Sequence, residues 1–494
     1  MVKRIFNICI GVLTMLVFVT ELNAQTKVFD KIIARDGTGD YTSITTAISM
    51  YSNSRKIFFI KNGVYNEKIL ISAQKTNIRL IGESVDGVIV TWDDYAGKSA
   101  TSSSTAESYT FRVEGDGFYA ENITFQNTAT LAQAVAIYTR ADTIVFKNCR
   151  FLGYQDTHYA DNGRQYFLSC KVRGDVDFIF GNAAAVYENS TVISCERKGG
   201  YITAPSEAVI TSAKPGGGVN YHGILIKNSV LIAESGLPAG SCYLGRPWGP
   251  YAASVFFNCR MGEHIRPEGW SVWSTDPANE GYNNHNTAFF AEYHSKDSLM
   301  NPVDTIYRVP WSQQLTDADT ALYSLMNYFK GWDPTLKTTV LAAPENITIS
   351  DDSLRWNTVA GARGYVILRN DSATGFSVTN AFYTGGKTHE IYRIKSVNSF
   401  GALSDASEMA VVTGIPDIDN ILPGDDAVCF NHGVLYLPEN ESVKIYKITG
   451  ELVKTYFYSQ SIHLEDLVPG VYIIRVVLDK HGKSITQKII NAAL

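Results

Sequence analysis

Two aspartates, Asp156 and Asp177, are the best candidates for chemistry in this sequence. Asp156 belongs to the segment Gly153-Tyr-Gln-Asp-Thr-His158, and Asp177 belongs to Gly174-Asp-Val-Asp-Phe-Ile-Phe-Gly181. Two carboxyl groups held close together cannot both ionise freely, so one keeps its proton to a higher pH while the other remains an anion. Such a pair combines a nucleophile with a general acid and base, provided that the fold brings the side chains together.

A repeat of short strands predicts this placement. The β-rich apolar segments each end in a polar residue, at Asn127, Asn148, Ser169, Asn189, Asn228 and Asn258. The first four ends are almost evenly spaced, and a period of about 20 residues predicts a right-handed parallel β-helix with one repeat per coil. Stacked coils lie about 4.8 Å apart, so Asp156 and Asp177, one period apart, would point the same way about 5 Å from each other. The asparagines that end the strands would form a ladder between coils.

Three further polar residues suit the same site. Arg246, in Leu244-Gly-Arg-Pro-Trp248, would pair with one aspartate, keep it ionised and orient it. Gln133 lies one coil before Gln155, and amide N–H groups are suited to stabilising an oxyanion on a tetrahedral ester carbon. The predicted site therefore contains two carboxylates, one cation and two amide donors.

Composition and charge restrict the class of protein. Hydrophobic residues make up 45% and charged residues 19%, which is typical of a globular protein, and 28 Tyr, 23 Phe and 39 Gly favour a β-rich fold. The net charge of -6 gives no electrostatic footprint for nucleic acid. It also gives no strong attraction to a polyanion, whereas a neutral polymer remains compatible.

The N-terminus has the pattern of a cleaved signal peptide. Lys3 and Arg4 precede an apolar run over residues 5–19, and a short polar segment follows up to Ala24. The apolar run is shorter than the roughly 20 residues that a membrane-spanning helix needs. We therefore predict a signal peptide over residues 1–24 and an exported, soluble mature chain.

The cysteines predict a structural role. Six remain after the signal peptide and none forms a CxxC pair, so zinc binding or redox catalysis is not indicated. Cys149 and Cys170 are separated by the same interval as the two aspartates and would stack in neighbouring coils. They would form either a disulfide, which an oxidising compartment allows, or a pair of core thiols.

The sequence changes character after about residue 337. Alternating strands and turns over residues 344–413 predict a β-sandwich, and this segment resembles a fibronectin type III module with Trp356 and Tyr392 as its core pair. The final stretch resembles the C-terminal sorting domain of the type IX secretion system. That resemblance implies the outer-membrane secretion machinery as a partner and a secreted or cell-surface location; a plain terminal β-sandwich is the alternative.

The larger N-terminal part of the chain is similar to the pectin methylesterase family. Five motifs occur in the family's order, namely Gly63-Val-Tyr-Asn-Glu67, the Gln133 segment, the Gln155-Asp156 motif, the Asp177 motif and Leu244 to Trp248. The resemblance implies that methyl-esterified pectin is the substrate and that neither a metal nor another cofactor is needed. Five ordered motifs over residues 30–335 are far more specific than any one of them.

The resemblance also implies a role for each site residue. Asp177 would be the nucleophile, Asp156 the general acid and then base, and Arg246 the hydrogen-bond partner of Asp177. Gln133 and Gln155 would form the oxyanion hole. The predicted substrate contacts are Trp248, Phe178 and Thr105.

Two positions depart from the usual family pattern. His158 stands where Leu is usual and Asp175 where Thr is usual. We interpret His158 as a loop residue rather than a base, and Asp175 as an added negative charge that could change the preferred methylation pattern or pH range. Trp270 and Trp273 would either line the groove or close the end of the β-helix.

The predicted architecture is all-β, a right-handed parallel β-helix followed by two small β-sandwich domains. The predicted boundaries are 28–335 for the β-helix, 341–413 for the fibronectin-like module and 424–494 for the sorting domain, in a monomer. Polygalacturonases and pectate lyases share the β-helix scaffold and are the first alternative; a non-catalytic pectin-binding surface protein is the second. The glutamine pair with a single arginine favours ester hydrolysis over the first alternative, and the sequence offers no aspartate cluster for a lyase's calcium.

Overall fold

The computed structural model describes residues 27–51, 55–195, 200–207, 209–213, 219–350, 352–385, 390–411, 429–431, 434–436, 442–447, 451–457, 461–463, 470–477 and 484–491. The predicted signal peptide lies outside these residues. The chain divides into two compact units, Met1–Val412 and Thr413–Leu494. Among the described residues, no helix is both long and apolar enough to cross a membrane.

Three parallel sheets form the β-helix in the described part of the first unit, which confirms the predicted fold. The eleven-strand sheet contains Lys31–Ile33, Lys56–Ile60, Ile78–Gly82, Tyr119–Glu121, Ile144–Lys147, Arg164–Leu168, Ala184–Glu188, Ile224–Lys227, Ala253–Phe257, Phe289–Tyr293 and Gln313–Gln314. The eight-strand sheet contains Gly63–Asn66, Val88–Trp92, Thr124–Asn127, Arg150–Leu152, Lys171–Gly174, Thr191–Ser194, Val230–Ala233 and Arg260–Met261. The seven-strand sheet contains Ile69–Ile71, Phe111–Val113, Ile137–Arg140, His158–Asn162, Val176–Gly181, Gly200–Pro205 and Cys242–Gly245.

Short helices and a hairpin accompany the three sheets in the described residues of the β-helix. The α-helices are Ile44–Ser49, Leu325–Tyr328 and Thr335–Thr338, and the 3-10 helices are Ala100–Ser102, Thr105–Glu107, Asn284–Asn286 and Asp317–Tyr323. The hairpin pairs Val209–Ala213 with Val219–His222 in antiparallel fashion.

Register in the seven-strand sheet follows the period that separates the two aspartates. Ile137 pairs with His158, and His158 pairs with Ile179, so that side chains one period apart in sequence become neighbours. Inward side chains from all three sheets fill one continuous apolar core along the helix axis. Outward side chains that are one period apart in the sequence therefore lie next to each other on this sheet, as Asp156 and Asp177 must.

The asparagine ladder exists, but its first member was assigned wrongly from the sequence. Asn148 donates from Nδ2 to Oδ1 of Asn122 at 2.7 Å, although the two residues are 26 positions apart. Asn127, which the sequence placed in the ladder, lies in the eight-strand sheet instead. Its Nδ2 donates to the backbone oxygens of three nearby residues, Asp94, Ser108 and Val135. Because the coils differ in length, the even spacing of Asn127 and Asn148 in the sequence did not place them at equivalent positions of neighbouring coils.

The stacked cysteines are thiols. Arg150 pairs with Lys171, which makes Cys149 and Cys170 neighbours in adjacent coils as predicted. Both are free and buried, and Cys149 donates from Sγ to the backbone oxygen of Lys147 at 3.4 Å. Of the two alternatives the structure supports core thiols.

The segment after the β-helix forms two antiparallel sheets. One contains Thr348–Ser350, Ser353–Arg355 and Ala381–Tyr383; the other contains Gly364–Arg369, Ser372–Ser377, Ile391–Val397 and Ala410–Val411. Trp356 and Tyr392 are buried together in the core between them. Because this module and the β-helix lie in one compact unit, the boundaries proposed between them stay predictions.

The module packs on the outer face of the eleven-strand sheet. A single apolar cluster joins Phe59, Ile81 and Tyr119 of the β-helix to Val366, Val397 and Leu403 of the module. The guanidinium of Arg79 lies 4.5 Å from the ring centre of Phe400. Glu121, which is 3% exposed, accepts a hydrogen bond from the Leu403 backbone N–H at 3.4 Å. The module is thus docked on the β-helix.

The second unit also consists of antiparallel strands in its described part. Cys429–Asn431, Val434–Tyr436 and Ser461–His463 form one sheet, and Ser442–Lys447, Leu452–Phe457, Gly470–Val477 and Ser484–Asn491 form the other. Val443, Ile445 and Ile474 are buried. This agrees with the predicted small β-sandwich.

Candidate active site

Asp156 and Asp177 occupy equivalent corners of adjacent coils, where the chain enters the seven-strand sheet. Both have left-handed backbone conformations, with φ of 64° and 51°, which aspartate tolerates better than most residues. The backbone N–H of Asp156 donates to the oxygen of Val176 at 3.0 Å, which fixes one corner above the other. The interval between them in sequence thus brings the two carboxyl groups into one site.

A cavity of about 320 Å³ opens over these corners. Both aspartates line it, although they are only 4% and 6% exposed. The other lining residues are Ser104, Thr105, Ala106, Gln133, Tyr159, Phe180, Ala204, Trp248 and Trp273. Of the predicted site residues, Asp156, Asp177, Gln133, Trp248 and Thr105 therefore meet at one cavity.

Arg246 grips Asp177 with both ends of its guanidinium group. Nε donates to Oδ1 at 2.9 Å and Nη2 donates to Oδ2 at 2.6 Å. The Arg246 side chain is 19% exposed and that of Asp177 is 8% exposed, so little water screens the pair. A bidentate bond of this kind fixes the position of the carboxylate and its orientation within the plane that the two groups share.

The two carboxyl groups differ in their affinity for protons. Burial raises the pKa of Asp156 well above its ordinary value, and the negative charge of Asp177 raises it further, against the opposing effect of Gln133 and Arg246. Burial also raises the pKa of Asp177, but the hydrogen bonds and charge of Arg246 oppose that rise. The proton of the pair is therefore held by Asp156, and Asp177 is the anion.

Gln133 stands between Thr105 and Asp156. The Thr105 hydroxyl donates to Oε1 of Gln133 at 3.0 Å, so the Gln133 amide N–H groups are free to face the Asp156 carboxyl, which they hydrogen-bond. Gln155 is half-buried, and it is not among the residues that line the cavity. The oxyanion role of Gln155 stays a prediction.

Phe178 was wrongly predicted to pack on the sugar. Its side chain is 0% exposed and lies in the apolar core of the β-helix. The reason is a bulge between Val176 and Ile179, after which Phe178 and Ile179 both point inward and Phe180 points outward. Phe180 therefore lines the cavity in the place assigned to Phe178.

An aromatic stack leads to the cavity, and sequence analysis missed it. Tyr138 and Tyr159 stack at 4.6 Å between ring centres, and Tyr159 and Phe180 stack at 4.3 Å. Trp248, which is 39% exposed, lies 6.1 Å from Phe180. Tyr159 follows Tyr138 by one period and Phe180 follows Tyr159 by one period, so the interval that paired the aspartates could also have found this stack.

The two tryptophans have different places. Trp270 is 1% exposed and stacks on Phe290 at 4.7 Å inside the core. Trp273 lines the cavity, and its ring centre lies 4.3 Å from Cζ of Arg246. Of the two alternatives, Trp270 therefore belongs to the interior and Trp273 to the groove.

His158 is a core residue of a strand and not a loop residue. Its Nδ1 lies 2.6 Å from the Tyr187 hydroxyl and its Nε2 lies 3.1 Å from Oγ1 of Thr139. Gln165 donates from Nε2 to two backbone oxygens, so its Oε1 is the acceptor for the Thr139 hydroxyl. Because the Thr139 hydroxyl proton is used in this bond, the Thr139 oxygen accepts a hydrogen bond from Nε2–H of His158. His158 is thus a neutral imidazole with its proton on Nε2, in keeping with a pKa that burial lowers to about 3.

The fold and the cavity together define a parallel β-helix protein with a paired-carboxylate site on one outer face. Comparison with known families matches residues 30–332 to the family Pectinesterase, which is more than half of the 494 residues. The chain belongs to the pectinesterase family. Residues 423–492 match the secretion system C-terminal sorting domain, which confirms the prediction that the chain is exported.

Individual relatives agree with this assignment. The chain is 36% identical over 296 residues to a probable pectinesterase/pectinesterase inhibitor of Brassica napus, a match that covers 58% of this chain and 48% of the relative. The chain thus spans about half the length of the curated relatives it matches.

Solved structures share the β-helix. The pectin methylesterase from carrot is 31% identical with a TM-score of 0.54, over 61% of this chain and 93% of that chain. Pectin methylesterase PemA from Erwinia chrysanthemi is 28% identical with a TM-score of 0.54, over 62% of this chain and 99% of that chain.

Proposed function

We propose that this chain is a carboxylic ester hydrolase that removes methyl groups from the esterified galacturonate units of pectin. The observation that carries the proposal is the Arg246 fork on Asp177 beside a buried Asp156 that retains its proton. This pairing supplies an oriented anion and an acid in one cavity. The names of the carrot and Erwinia chrysanthemi proteins support methylated pectin as the substrate.

The first half-reaction uses Asp177 as the nucleophile. A carboxylate oxygen of Asp177 attacks the ester carbonyl carbon, and the tetrahedral oxyanion forms beside the Gln133 amide. Collapse of this intermediate breaks the bond to the methoxy oxygen, and Asp156 gives its proton to that oxygen, so that methanol departs. The product is an anhydride between Asp177 and the galacturonate unit.

The second half-reaction regenerates both carboxyl groups. Asp156, now an anion, takes a proton from a water molecule, which attacks the galacturonyl carbonyl carbon of the anhydride. The bond to the Asp177 oxygen breaks and Asp177 leaves as the carboxylate that Arg246 holds. Asp156 ends protonated, and the new galacturonic acid releases its own proton to solvent.

A direct assay tests this function. Purified full-length protein incubated with highly methylated homogalacturonan is expected to release methanol while the polymer keeps its length, as measured by size-exclusion chromatography. Shortened chains would indicate a polygalacturonase, and products with ultraviolet absorbance from unsaturated ends would indicate a lyase. Tight pectin binding without any product would support a non-catalytic surface protein; each of these three results would overturn the proposal.

The pH profile of methanol release follows from the two carboxyl groups. Activity falls at low pH because Asp177 takes up a proton, and it falls at high pH because Asp156 loses its proton. Asp175, which is 5% exposed, adds negative charge that raises the pKa of both. Asp175→Asn is therefore expected to move both limbs of kcat/KM to lower pH.

A control variant makes this result specific. Asp161 hydrogen-bonds Tyr138 at 2.7 Å on the same sheet and does not line the cavity. Asp161→Asn should leave both limbs in place. Unmoved limbs in Asp175→Asn would remove Asp175 from the electrostatics of the pair.

The two ends of the chain are proposed to serve export. Residues 1–24 would act as a signal peptide, and the C-terminal sorting domain would be recognised by type IX secretion machinery at the outer membrane. The segment 341–413 is proposed to be a fibronectin type III-like module, and the secreted enzyme is proposed to be a monomer.

A further inference from the structure

Two aromatic rings enclose the guanidinium group of Arg246. The Tyr201 ring centre lies 4.0 Å from Cζ, and the Trp273 ring centre lies 4.3 Å from the same atom. Two rings cannot occupy the same space so close to one atom, so they approach the guanidinium from different directions. Arg246 is therefore held by rings as well as by its two hydrogen bonds to Asp177.

The hydrogen bonds alone restrain one motion only weakly. A bidentate fork fixes Arg246 within the plane that it shares with the Asp177 carboxylate, but it resists tilting out of that plane only weakly. Rings that cover the guanidinium oppose such tilting, and the cation–π attraction is greatest where water is excluded. The Arg246 side chain is only 19% exposed, so little water screens its attraction to the two rings.

We propose that Tyr201 and Trp273 are positioning residues that hold Arg246, and through it Asp177, in the reactive geometry. This inference rests on the proposed esterase function for its kinetic consequence. Tyr201 pairs with Val176, the residue before Asp177, so its place is set by the same coil contacts that set the nucleophile. Tyr201 does not line the cavity, whereas Trp273 does. Tyr201 thus acts on Arg246 without touching substrate.

The stack continues beyond Tyr201, which supplies a matched control. Tyr243 pairs with Tyr201 in the next coil, and the two rings stack at 5.4 Å with an interplanar angle of 8°. Tyr243 also contacts Arg266, whose Cζ lies 4.8 Å from the Tyr243 ring centre. Removing the Tyr243 ring therefore perturbs the same stack one step away from Arg246.

The test compares Tyr201→Leu with Tyr201→Phe and Tyr243→Leu. Tyr201→Leu is expected to lower kcat about tenfold with KM within about twofold, since positioning and not binding is lost. Its acid limb should move to higher pH, because burial raises the Asp177 pKa and a loosened Arg246 opposes that rise less. Tyr201→Phe keeps the ring and Tyr243→Leu keeps both rings on Arg246, so both should retain wild-type kcat and acid limb.

A second readout separates this inference from the esterase assignment. The pKa of the Asp177 carboxyl, followed by carbon NMR in aspartate-labelled protein, should rise in Tyr201→Leu whether or not methanol is released. If the wild type releases no methanol, the proposed function fails and the titration alone decides the positioning role. Should Tyr201→Leu not fold, the same titration is done on Trp273→Leu, in which the Asp177 pKa should also rise. Because Trp273 lines the cavity, this variant should in addition have a raised KM. An unchanged Asp177 pKa, or equal effects of Tyr201→Leu and Tyr243→Leu, would overturn the proposal.

Discussion

Replacement of Asp177 by asparagine is expected to lower kcat for methanol release by at least about 10³-fold, while the protein still folds and binds pectin. Asparagine has nearly the same shape and retains one oxygen that can accept from Arg246. It lacks the charge and the second nucleophilic oxygen, so no anhydride can form. Methanol release under substrate saturation measures the effect, and circular dichroism and pectin binding establish that the fold persists.

Control variants show whether the loss of kcat is specific to Asp177. Asp161→Asn removes a charge from the same sheet outside the cavity and is expected to retain kcat within about threefold. Asp156→Asn should also be severely impaired, because asparagine can neither protonate the methoxy leaving group nor activate water. A variant Asp177→Asn with more than a tenth of wild-type turnover would contradict the assignment of the nucleophile.

Insertion of a charge under the docked module is expected to destabilise the whole first unit. Leu403 is 4% exposed in the apolar cluster that joins module and β-helix, and its backbone N–H contacts the buried Glu121. Leu403→Asp would place a second carboxylate beside Glu121 with no cation added. We expect a loss of about 3–5 kcal/mol in the free energy of unfolding, measured by denaturant titration with tryptophan fluorescence.

An exposed position on the same module provides the comparison. Met409 is 43% exposed, and Met409→Asp should change the free energy of unfolding by no more than about 0.5 kcal/mol. Leu403→Ala, which removes apolar contact without adding charge, should cost about 2–5 kcal/mol. If Leu403→Asp had the same free energy of unfolding as the wild type, the contact between the module and the β-helix would not contribute to stability.

The sequence predicted the site well where one coil repeats the next. A single interval placed Asp156 and Asp177 at equivalent corners, and it also relates the stacked Tyr138, Tyr159 and Phe180. Periodicity carries this information because parallel strands in register convert sequence distance into spatial neighbourhood. The carboxylate pair and its scaffold could thus be predicted from the sequence alone.

The errors came from places where the period is broken. The bulge at Asp177 reverses the alternation of side chains, so Phe178 turns inward and Phe180 faces the cavity. Asn148 meets Asn122 across a separation of 26 positions, which a count based on the shorter period could not reveal. The docking of Leu403 against Glu121 joins segments 282 positions apart, and no local pattern specifies it.

Burial of the cysteine thiols affects how an exported protein resists oxidation. Burial raises the pKa of Cys170, Cys195 and Cys259 to about 12 each, and raises that of Cys149 well above its ordinary value. Since the thiolate is the form that oxidants attack, these side chains are chemically inert at neutral pH once the coils have closed around them. For these four thiols, the danger of oxidation is confined to the unfolded chain. Closure of the coils then protects these four thiols from wrong disulfides without a partner cysteine.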